Sequence, residues 1–206
     1  MNMKTLALLR NITLVALTAA SLGGCAALVV GGAVGTAMVV SDRRTSGVQL
    51  EDQSIELKAV TRIRETVGER GHISATSYNR MVLLTGEVSS EADRTAIEQT
   101  ISRIENVRSV VNELAVMGST SLTARSNDTI LTSKVKATFV DAKDLHANSI
   151  KVVTERGSVF LMGRVTEREA TRATDLARGV SGVQKVVRVF EVLSDAELAE
   201  LGGNKS

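Results

Sequence analysis

The chain has 206 residues, of which 43% are hydrophobic and 23% are charged, and it contains neither proline nor tryptophan. These proportions are typical of one ordinary domain or two small ones, and they argue against an intrinsically disordered protein. Aromatic residues make up only 2% of the chain and the formal net charge is only +2, so neither a base-stacking platform nor a strongly basic surface for nucleic acid is expected.

The N-terminal segment has the three-part layout of a secretory signal peptide. Lys4 and Arg10 form the positive region, residues 12–20 form the apolar region, and small residues follow. They lead into "LGGC" (residues 22–25), which resembles the lipobox of bacterial lipoproteins. The resemblance implies cleavage before Cys25, a diacylglyceryl group on its thiol and an acyl chain such as palmitate on the new amino group. Several acyl chains anchor a protein stably, whereas a single chain binds only reversibly.

Two other interpretations of Cys25 remain open. Residues 12–40 carry no charged side chain and could span a bilayer as an uncleaved helix, since about 20 apolar residues suffice; Cys25 could also be a plain buried thiol. Processing is the preferred interpretation, with a signal peptide over residues 1–24 and a lipid anchor and tether over 25–52. By the sorting rule of Gram-negative lipoproteins, Ala26 implies a lipid-anchored protein of the outer membrane that faces the periplasm.

An internal repeat organises the rest of the chain. "ISATSYNRMVLLTGEV" (residues 73–88) aligns without a gap with "IKVVTERGSVFLMGRV" (150–165), and "IENVRSVVNEL" (104–114) aligns with "VSGVQKVVRVF" (180–190) after a shift of one residue. A fixed-period repeat indicates two domains that share one plan. The expected division is a first domain over 53–117, a linker over 118–127, a second domain over 128–193 and a tail over 194–206.

Each copy is predicted to have the element order αββαβ. The first copy should have helices over 55–67 and 91–104, a hairpin that turns at residues 78–80 and a last strand over 107–116. In the second copy we expect Asp128 to cap a helix over 129–140, residues 156–157 to turn the hairpin, "TERE" (166–169) to open a helix as a capping box, and 183–192 to form the last strand.

The predicted fold class is therefore α+β. Because a strand-helix-strand step crosses over with a right hand, its two strands are parallel, which gives a three-stranded mixed sheet with both helices on one face. Units of about 65 residues have marginal cores, so the two copies are expected to pack on each other.

These residues resemble the BON domain, which is named for bacterial OsmY and nodulation proteins. The resemblance rests on "VFLMGRV" (159–165) followed by "VSGVQKV" (180–186). With the lipobox, "DRRT" (42–45) and "SNDT" (126–129), the whole chain resembles the dual-BON outer-membrane lipoproteins of Gram-negative bacteria. The first copy departs from the second, with residues 105–107 reading Glu-Asn-Val in place of Ser-Gly-Val. The resemblance implies phospholipid binding through a BON module and a role in keeping the outer membrane intact under stress.

The residue inventory gives little support for an enzyme. His72 and His146 are placed between a helix and a strand in each copy, and a paired metal or acid-base site is conceivable, but neither has a second ligand nearby in the sequence. We read both as solvated loop residues. The sequence contains no G-x-S-x-G, P-loop or CxxC pattern. We expect no catalytic residue, metal, cofactor, nucleic acid or small-molecule substrate.

The first helix of the second copy is the candidate phospholipid-binding surface. Leu131, Val135 and Phe139 should face the sheet. The candidate residues on the outer side are Ile130, Lys134, Lys136, Ala137, Val140 and Asp141. Ile130 would insert into the headgroup layer, and each lysine would contribute about 1 kcal/mol near an anionic surface. An equally weighted alternative is that Ile130 packs on the other domain. The corresponding helix of the first copy mixes acidic and basic residues and is less suited to lipid.

The expected function is binding of anionic phospholipid by the second domain, in a lipid-anchored periplasmic protein that supports outer-membrane integrity. The alternative is an adaptor whose exposed sheet faces or edges recruit an envelope assembly or cell-wall protein, without direct lipid recognition. A hydrolase or metal protein has the least support.

Overall fold

A computed structural model describes residues 42–68, 70–118 and 120–203. The predicted signal peptide, Cys25 and the apolar segment up to residue 40 lie outside the described residues. Within those ranges, no helix combines the length and the apolar character that crossing a bilayer requires.

The first copy consists of two helices and a mixed sheet. Its elements are α1 (Ser46–Val67), β1 (Gly71–Tyr78), β2 (Met81–Val88), α2 (Glu91–Ser102), β3 (Ser109–Asn112) and β4 (Ala115–Val116). β1 is antiparallel to β2, whereas β3 and β4 are both parallel to it. The predicted last strand is thus two short strands, because the chain turns Leu114 into the core, where it is 3% exposed.

The second copy has the same order with longer strands. Its elements are α3 (Leu122–Asp141), a 3₁₀ turn (Ala147–Ser149), β5 (Ile150–Glu155), β6 (Ser158–Thr166), α4 (Glu167–Arg178) and β7 (Lys185–Leu193). β5 is antiparallel and β7 parallel to β6. The capping box that opens α4 is confirmed, with Thr166 and Glu169 as its members. A further helix, α5 (Asp195–Gly203), lies in the segment expected to be a tail.

Each copy buries its two helices against one face of its own sheet. The first core includes Ile55, Ala59 and Ile63 of α1, and the second includes Leu131, Val135 and Phe139 of α3. All of these side chains are less than 9% exposed, as the helical spacing predicts. The α+β fold class, with two tandem αββαβ units, is confirmed.

The predicted start of α3 is wrong. The helix begins at Leu122, and its N-cap is Ser121, whose hydroxyl accepts the N–H of Ala124 at 3.2 Å. Asp128 therefore lies inside the helix and is 8% exposed. Its carboxylate accepts the backbone N–H groups of Arg156 and Gly157, both at 2.8 Å, so Asp128 caps the hairpin turn instead of the helix.

Helix α1 also begins earlier than expected, inside the predicted tether. Thr45 is its N-cap, and Asp52 occupies the position that Asp128 has in α3. Asp52 is 2% exposed and accepts the N–H groups of Asn79 and Arg80 at 2.8 Å. The two copies therefore share a carboxylate that ties the first helix to the hairpin turn.

The sheet faces that turn away from the helices pack on each other. A shared apolar cluster contains Tyr78 and Leu83 from the first copy with Phe160, Met162 and Val189 from the second. A hydrogen bond also joins the two copies at this cluster, because the Tyr78 hydroxyl donates to the carbonyl of Ser149 at 3.2 Å. The two sheet faces are therefore buried between the copies and are not exposed surfaces.

Candidate functional site

The six predicted site residues all lie on the solvent side of α3. Ile130 is 54% exposed and Val140 is 71% exposed, and Lys134, Lys136, Ala137 and Asp141 are exposed as well. Ile130 lies outside the apolar cluster between the copies. The orientation of this surface is fixed because Leu131, Val135 and Phe139 on the opposite side are buried in the core.

Leu122 extends the exposed apolar surface by more than two helical turns. It is 78% exposed at the start of α3, and sequence reasoning missed it because the residue was assigned to a linker. At 1.5 Å per residue, Leu122 and Val140 are separated by about 27 Å along the helix axis. The apolar side chains of α3 are thus distributed along its whole length.

The two lysines of this surface carry uncompensated charge. Among the residues that the structure describes, neither Lys134 nor Lys136 has an ion-pair partner. Asp141 is the one exposed carboxylate on the helix, at its last residue. The exposed side of α3 is therefore both apolar and net positive.

Helix α1 exposes apolar residues too, but its charges are largely paired. Leu50, Leu57 and Val60 are 69%, 72% and 53% exposed. Around them, Lys58 pairs with Glu105 at 3.7 Å, Arg62 with Glu65 at 3.0 Å, and Arg80 of the hairpin turn with Glu51. The surface of α1 is therefore apolar and close to neutral.

Two clefts flank α3, and four of the six predicted site residues line them. A cleft of about 590 Å³ beside the N-terminal half of the helix is lined by Ile130 and Lys134. A second, of about 370 Å³ beside the C-terminal half, is lined by Lys136 and Val140 together with Arg44. Neither cleft is lined by Ala137 or Asp141.

The segment before α1 binds both copies through two arginines. Arg43 donates to both carboxylate oxygens of Glu169, at 2.7 and 2.8 Å, and to the carbonyl of Arg164 at 2.8 Å. Arg44 pairs with Asp52 at 2.8 Å and stacks 4.0 Å above the ring of Tyr78. Arg43 and Arg44, which belong to the predicted tether, are thus part of the folded unit.

Burial and charge shift the pKa values of two of these groups in opposite directions. Burial would raise the pKa of Glu169, but the hydrogen bonds from Arg43 and from the Thr166 backbone outweigh it and lower the pKa to about 2. For Tyr78, burial and the nearby Asp42 charge raise the pKa to about 12. Glu169 is therefore ionised, and Tyr78 neutral, at neutral pH.

The two histidines do not form a shared site. His72 is a half-buried residue of β1, so its assignment to a loop is wrong. The side chain of His146 is 66% exposed, and its Nδ1 lies 3.2 Å from a carboxylate oxygen of Glu169. Within the described ranges, no group of three histidine, cysteine or acidic side chains is placed to hold a metal ion.

Comparison with known proteins matches both copies to one family. The family model of the BON domain matches residues 52–118 and 127–194. The outer membrane lipoprotein DolP of Haemophilus influenzae is 38% identical over 175 residues, which is 84% of this chain and 90% of that protein.

Other relatives are more distant. A 21 kDa hemolysin of Actinobacillus pleuropneumoniae is 28% identical over 72% of this chain and 78% of its own length. Osmotically-inducible protein Y of Escherichia coli is 31% identical over 55% of this chain and 58% of its own length. A solved structure of CdsD, a structural protein of the type III secretion system of Chlamydia trachomatis, has a TM-score of 0.29 at 12% identity over 72% of this chain and 99% of its own, too low a likeness to support a conclusion.

Proposed function

This chain belongs to the BON-domain family of outer-membrane lipoproteins, and on that premise we propose that it binds anionic phospholipid through α3 and so supports outer-membrane integrity. Cys25 is the proposed point of lipid attachment. The proposed role in membrane integrity rests on this location. A protein that binds phospholipid headgroups from the periplasmic side links neighbouring lipids of the inner leaflet of the outer membrane. The chain acts by binding and catalyses no reaction.

The observation that supports this proposal is the combination of apolar and unpaired cationic side chains on α3. Leu122, Ile130 and Val140 offer apolar surface, and Lys134 and Lys136 carry charge without an ion-pair partner among the described residues. A helix of this kind lies in the membrane interface with its apolar side chains at the acyl boundary and its lysines near phosphates. Each lysine contributes about 1 kcal/mol on an anionic surface.

A lipid anchor makes even weak binding by α3 effective. The proposed attachment at Cys25 lies 17 residues before Asp42, where the folded unit begins. A short tether holds the second contact at an effective concentration in the millimolar range. Helix α3 can therefore bind and release the bilayer while the protein stays attached.

Replacing Ile130 tests the membrane contact directly. All three apolar clusters lie within residues 42–203, so a fragment of residues 41–206 contains the whole folded unit. In vesicle co-sedimentation, Ile130→Glu should weaken binding to phosphatidylglycerol vesicles about 30-fold, because about 2 kcal/mol is lost when an inserted apolar side chain becomes an anion. Leu57→Glu is the matched control, since it introduces the same charge at a 72% exposed position of α1.

The control variant and a comparison of two vesicle compositions show whether the loss of binding is specific to α3 and to anionic lipid. Leu57→Glu should bind like the unmodified fragment, and binding should fall as salt rises, since part of the attraction is between exposed charges. Equal binding of the two variants, or equal binding to phosphatidylcholine and phosphatidylglycerol vesicles, would contradict the proposed surface.

The exposed residues of α1 favour a second candidate function. Leu50, Leu57 and Val60 lie on a nearly neutral surface, which is the composition of many protein-binding patches. An adaptor would use this helix, since the sheet faces are buried between the copies. Failure of the unmodified fragment to bind any vesicle would favour this alternative.

A further inference from the structure

Charged side chains lie beside the apolar cluster between the two copies. Because side chains alternate along a strand, Glu87 lies on the same face of β2 as Leu83, which belongs to the cluster. Glu155 lies on the same face of β5 as Val153, which packs against the cluster. Glu87 is fully buried and Glu155 is 8% exposed. Two carboxyl groups are therefore buried on the sheet faces that the copies share.

Glu87 is bonded by both copies and by the segment between them. Arg156 of the second copy donates from one guanidinium nitrogen to a carboxylate oxygen of Glu87 and to the carbonyl of Gly86, both at 2.9 Å. The other carboxylate oxygen accepts the N–H of Thr120 at 3.3 Å and its hydroxyl at 3.4 Å. His72 of β1, a half-buried residue, lies directly opposite Glu87. A cation and two further donors thus stabilise the buried charge of Glu87.

Glu155 has no comparable partners. Among the residues that the structure describes, its carboxyl group has neither a hydrogen bond nor an ion pair. Arg125 of α3 has an unused donor as well, since its buried Nε–H has no acceptor within the described ranges. A buried carboxylate without partners is costly, because the charge has lost its water and gained nothing in exchange. The ionised form of Glu155 is therefore disfavoured.

The charges around Glu155 do not balance when every group is ionised. The charged groups that face it are two carboxylates and two guanidinium groups, those of Glu87, Asp128, Arg125 and Arg156. Together with Glu155, three anions then meet two cations, and one proton on Glu155 restores the balance. Burial, and then the charge of Glu87, raise the pKa of Glu155 above its ordinary value of 4.5.

The corresponding position of the first copy carries a neutral donor. The ungapped alignment of residues 73–88 with 150–165 places Tyr78 at the position of Glu155. Tyr78 is 2% exposed and donates its hydroxyl to the carbonyl of Ser149 in the other copy at 3.2 Å. A protonated carboxyl group is likewise neutral and has an O–H donor, whereas a carboxylate only accepts. Glu155 thus resembles Tyr78 chemically only when it carries a proton.

We propose that Glu155 is a proton-dependent lock between the two copies: its protonated carboxyl group keeps this part of the interface closed, and its ionisation loosens it. Ionisation places a second negative charge near Glu87, which repels it and competes for Arg156. Arg156 joins the copies here, so the sheets loosen at this point while the apolar cluster holds them elsewhere. The lock acts on the interface alone and does not require that the protein binds lipid.

Thermal unfolding of the 41–206 fragment measures the cost of ionising Glu155. Because the folded-state pKa is the raised one, protonation stabilises the fold fully below about pH 4.5, and this stabilisation is lost as the pH rises through the folded-state value. Glu155→Gln stays neutral throughout, so it should raise the unfolding midpoint by about 3 °C at pH 8 and leave it unchanged at pH 5. The matched control is Glu105→Gln, at a side chain 80% exposed, which should not alter the difference between the two midpoints.

A ¹³C NMR titration of the Glu155 carboxyl carbon reports which group takes up the proton. Its midpoint should lie above pH 4.5. Arg125→Gln should raise this midpoint further because a cation is removed, and Glu87→Gln should lower it because an anion is removed. A role in packing alone would not shift the midpoint in opposite directions. Histidine changes charge in the same pH range, so His72→Gln is included in the unfolding series.

Paired spin labels measure whether the interface loosens. The 41–206 fragment contains no cysteine, so labels can be attached through Glu98→Cys in the first copy and Arg178→Cys in the second, both at exposed positions. The distance distribution from electron paramagnetic resonance should be narrow at pH 5 and broader at pH 8. In the fragment that also carries Glu155→Gln, it should be narrow at both pH values.

Three results would overturn the lock. A titration midpoint of Glu155 at or below pH 4.5 would show that the carboxyl group is ionised at both pH values. If His72→Gln, and not Glu155→Gln, removes the difference between pH 5 and pH 8, the imidazole carries the proton. Distance distributions that are the same at pH 5 and pH 8 would show that the proton does not control the interface.

Discussion

The two copies of this protein share a backbone fold but differ in whether their exposed charged side chains form ion pairs. In both, a buried aspartate of the first helix, Asp52 or Asp128, holds the turn of the hairpin. The exposed charges differ: Lys58 of the first copy pairs with Glu105, whereas the residue equivalent to Glu105 in the second copy is the uncharged Ser181, which lines the same cleft as Lys134. A repeat can therefore keep its fold and change the ion pairs on its surface by altering one or two exposed side chains.

The largest expected effect concerns the cores, where the copies should behave alike. Phe139 and Ile63 occupy equivalent positions and are 1% and 8% exposed. Phe139→Ala should lower the free energy of unfolding by about 4 kcal/mol and Ile63→Ala by about 3 kcal/mol, because each leaves a cavity. Urea unfolding followed by circular dichroism measures both changes.

The control for the core variants is Val140→Ala. Val140 is 71% exposed on α3, so its truncation should change the stability by less than about 0.5 kcal/mol. Because the two sheets share a buried cluster, a single transition is expected for each variant. Two separate transitions, of which only one moves, would show that the copies unfold independently.

The turn-holding aspartates should produce the next largest effect, and here the copies should differ. Asp52 also binds the hydroxyl of Ser77 at 2.6 Å and Arg44 at 2.8 Å. We expect Asp52→Ala to cost about 3 kcal/mol and Asp128→Ala about 2 kcal/mol, since buried N–H groups lose their acceptor. Thermal unfolding would compare them, with Asp52→Asn and Asp128→Asn as controls that keep one acceptor oxygen. A larger loss at Asp128 would contradict this ranking.

The smallest expected effect is an acid-sensitive link that belongs to the second copy. The pKa of Glu169 is about 2 in the folded protein against an ordinary value of 4.5. Since the folded-state pKa is the lower one, the stabilisation is complete above about pH 4.5 and is lost as the pH falls towards 2. Arg43→Gln removes the main partner of Glu169, so it should reduce the stability lost between pH 7 and pH 3 by roughly 1–2 kcal/mol.

Chemical unfolding at the two pH values checks this link, with Arg62→Gln as the control. Arg62 pairs with Glu65 on the surface of α1, where both side chains are more than half exposed, and such pairs contribute little. His146 also contacts Glu169, but its side chain is exposed and Arg43 makes the closer bonds. An unchanged pH dependence in Arg43→Gln would show that Arg43 does not set the ionisation of Glu169.

Most of the secondary structure could be predicted from local patterns. The hairpin turns at residues 79–80 and 156–157 and the capping box at Thr166 follow from turn and capping chemistry. The starts of α1 and α3 could not be predicted, because their first turns lack apolar periodicity and are capped by Thr45 and Ser121 well before the core residues begin. Aspartate favours N-caps, which made Asp128 look like the start of the helix.

Part of the candidate surface could also be predicted from local patterns in the sequence. Helical periodicity separates the buried residues of α3 from Ile130, Lys134 and Val140, and the structure places these on opposite sides. Leu122 was missed with the first turns of the helix. The cleft could not be predicted, since Asn127, Gly157 and Ser181 come from three separate segments.

By itself, the sequence determines the repeat, its element order and the side of each helix that is buried, because apolar periodicity is a local property of the chain. Only the tertiary structure decides which charges meet. Lys58 and Lys134 occupy the same position in two equivalent helices, but whether each has a partner depends on a loop 47 residues further along the chain. The sheets bring this loop to the helix in both copies, so that Lys58 pairs with Glu105, whereas Lys134 has no ion-pair partner among the described residues.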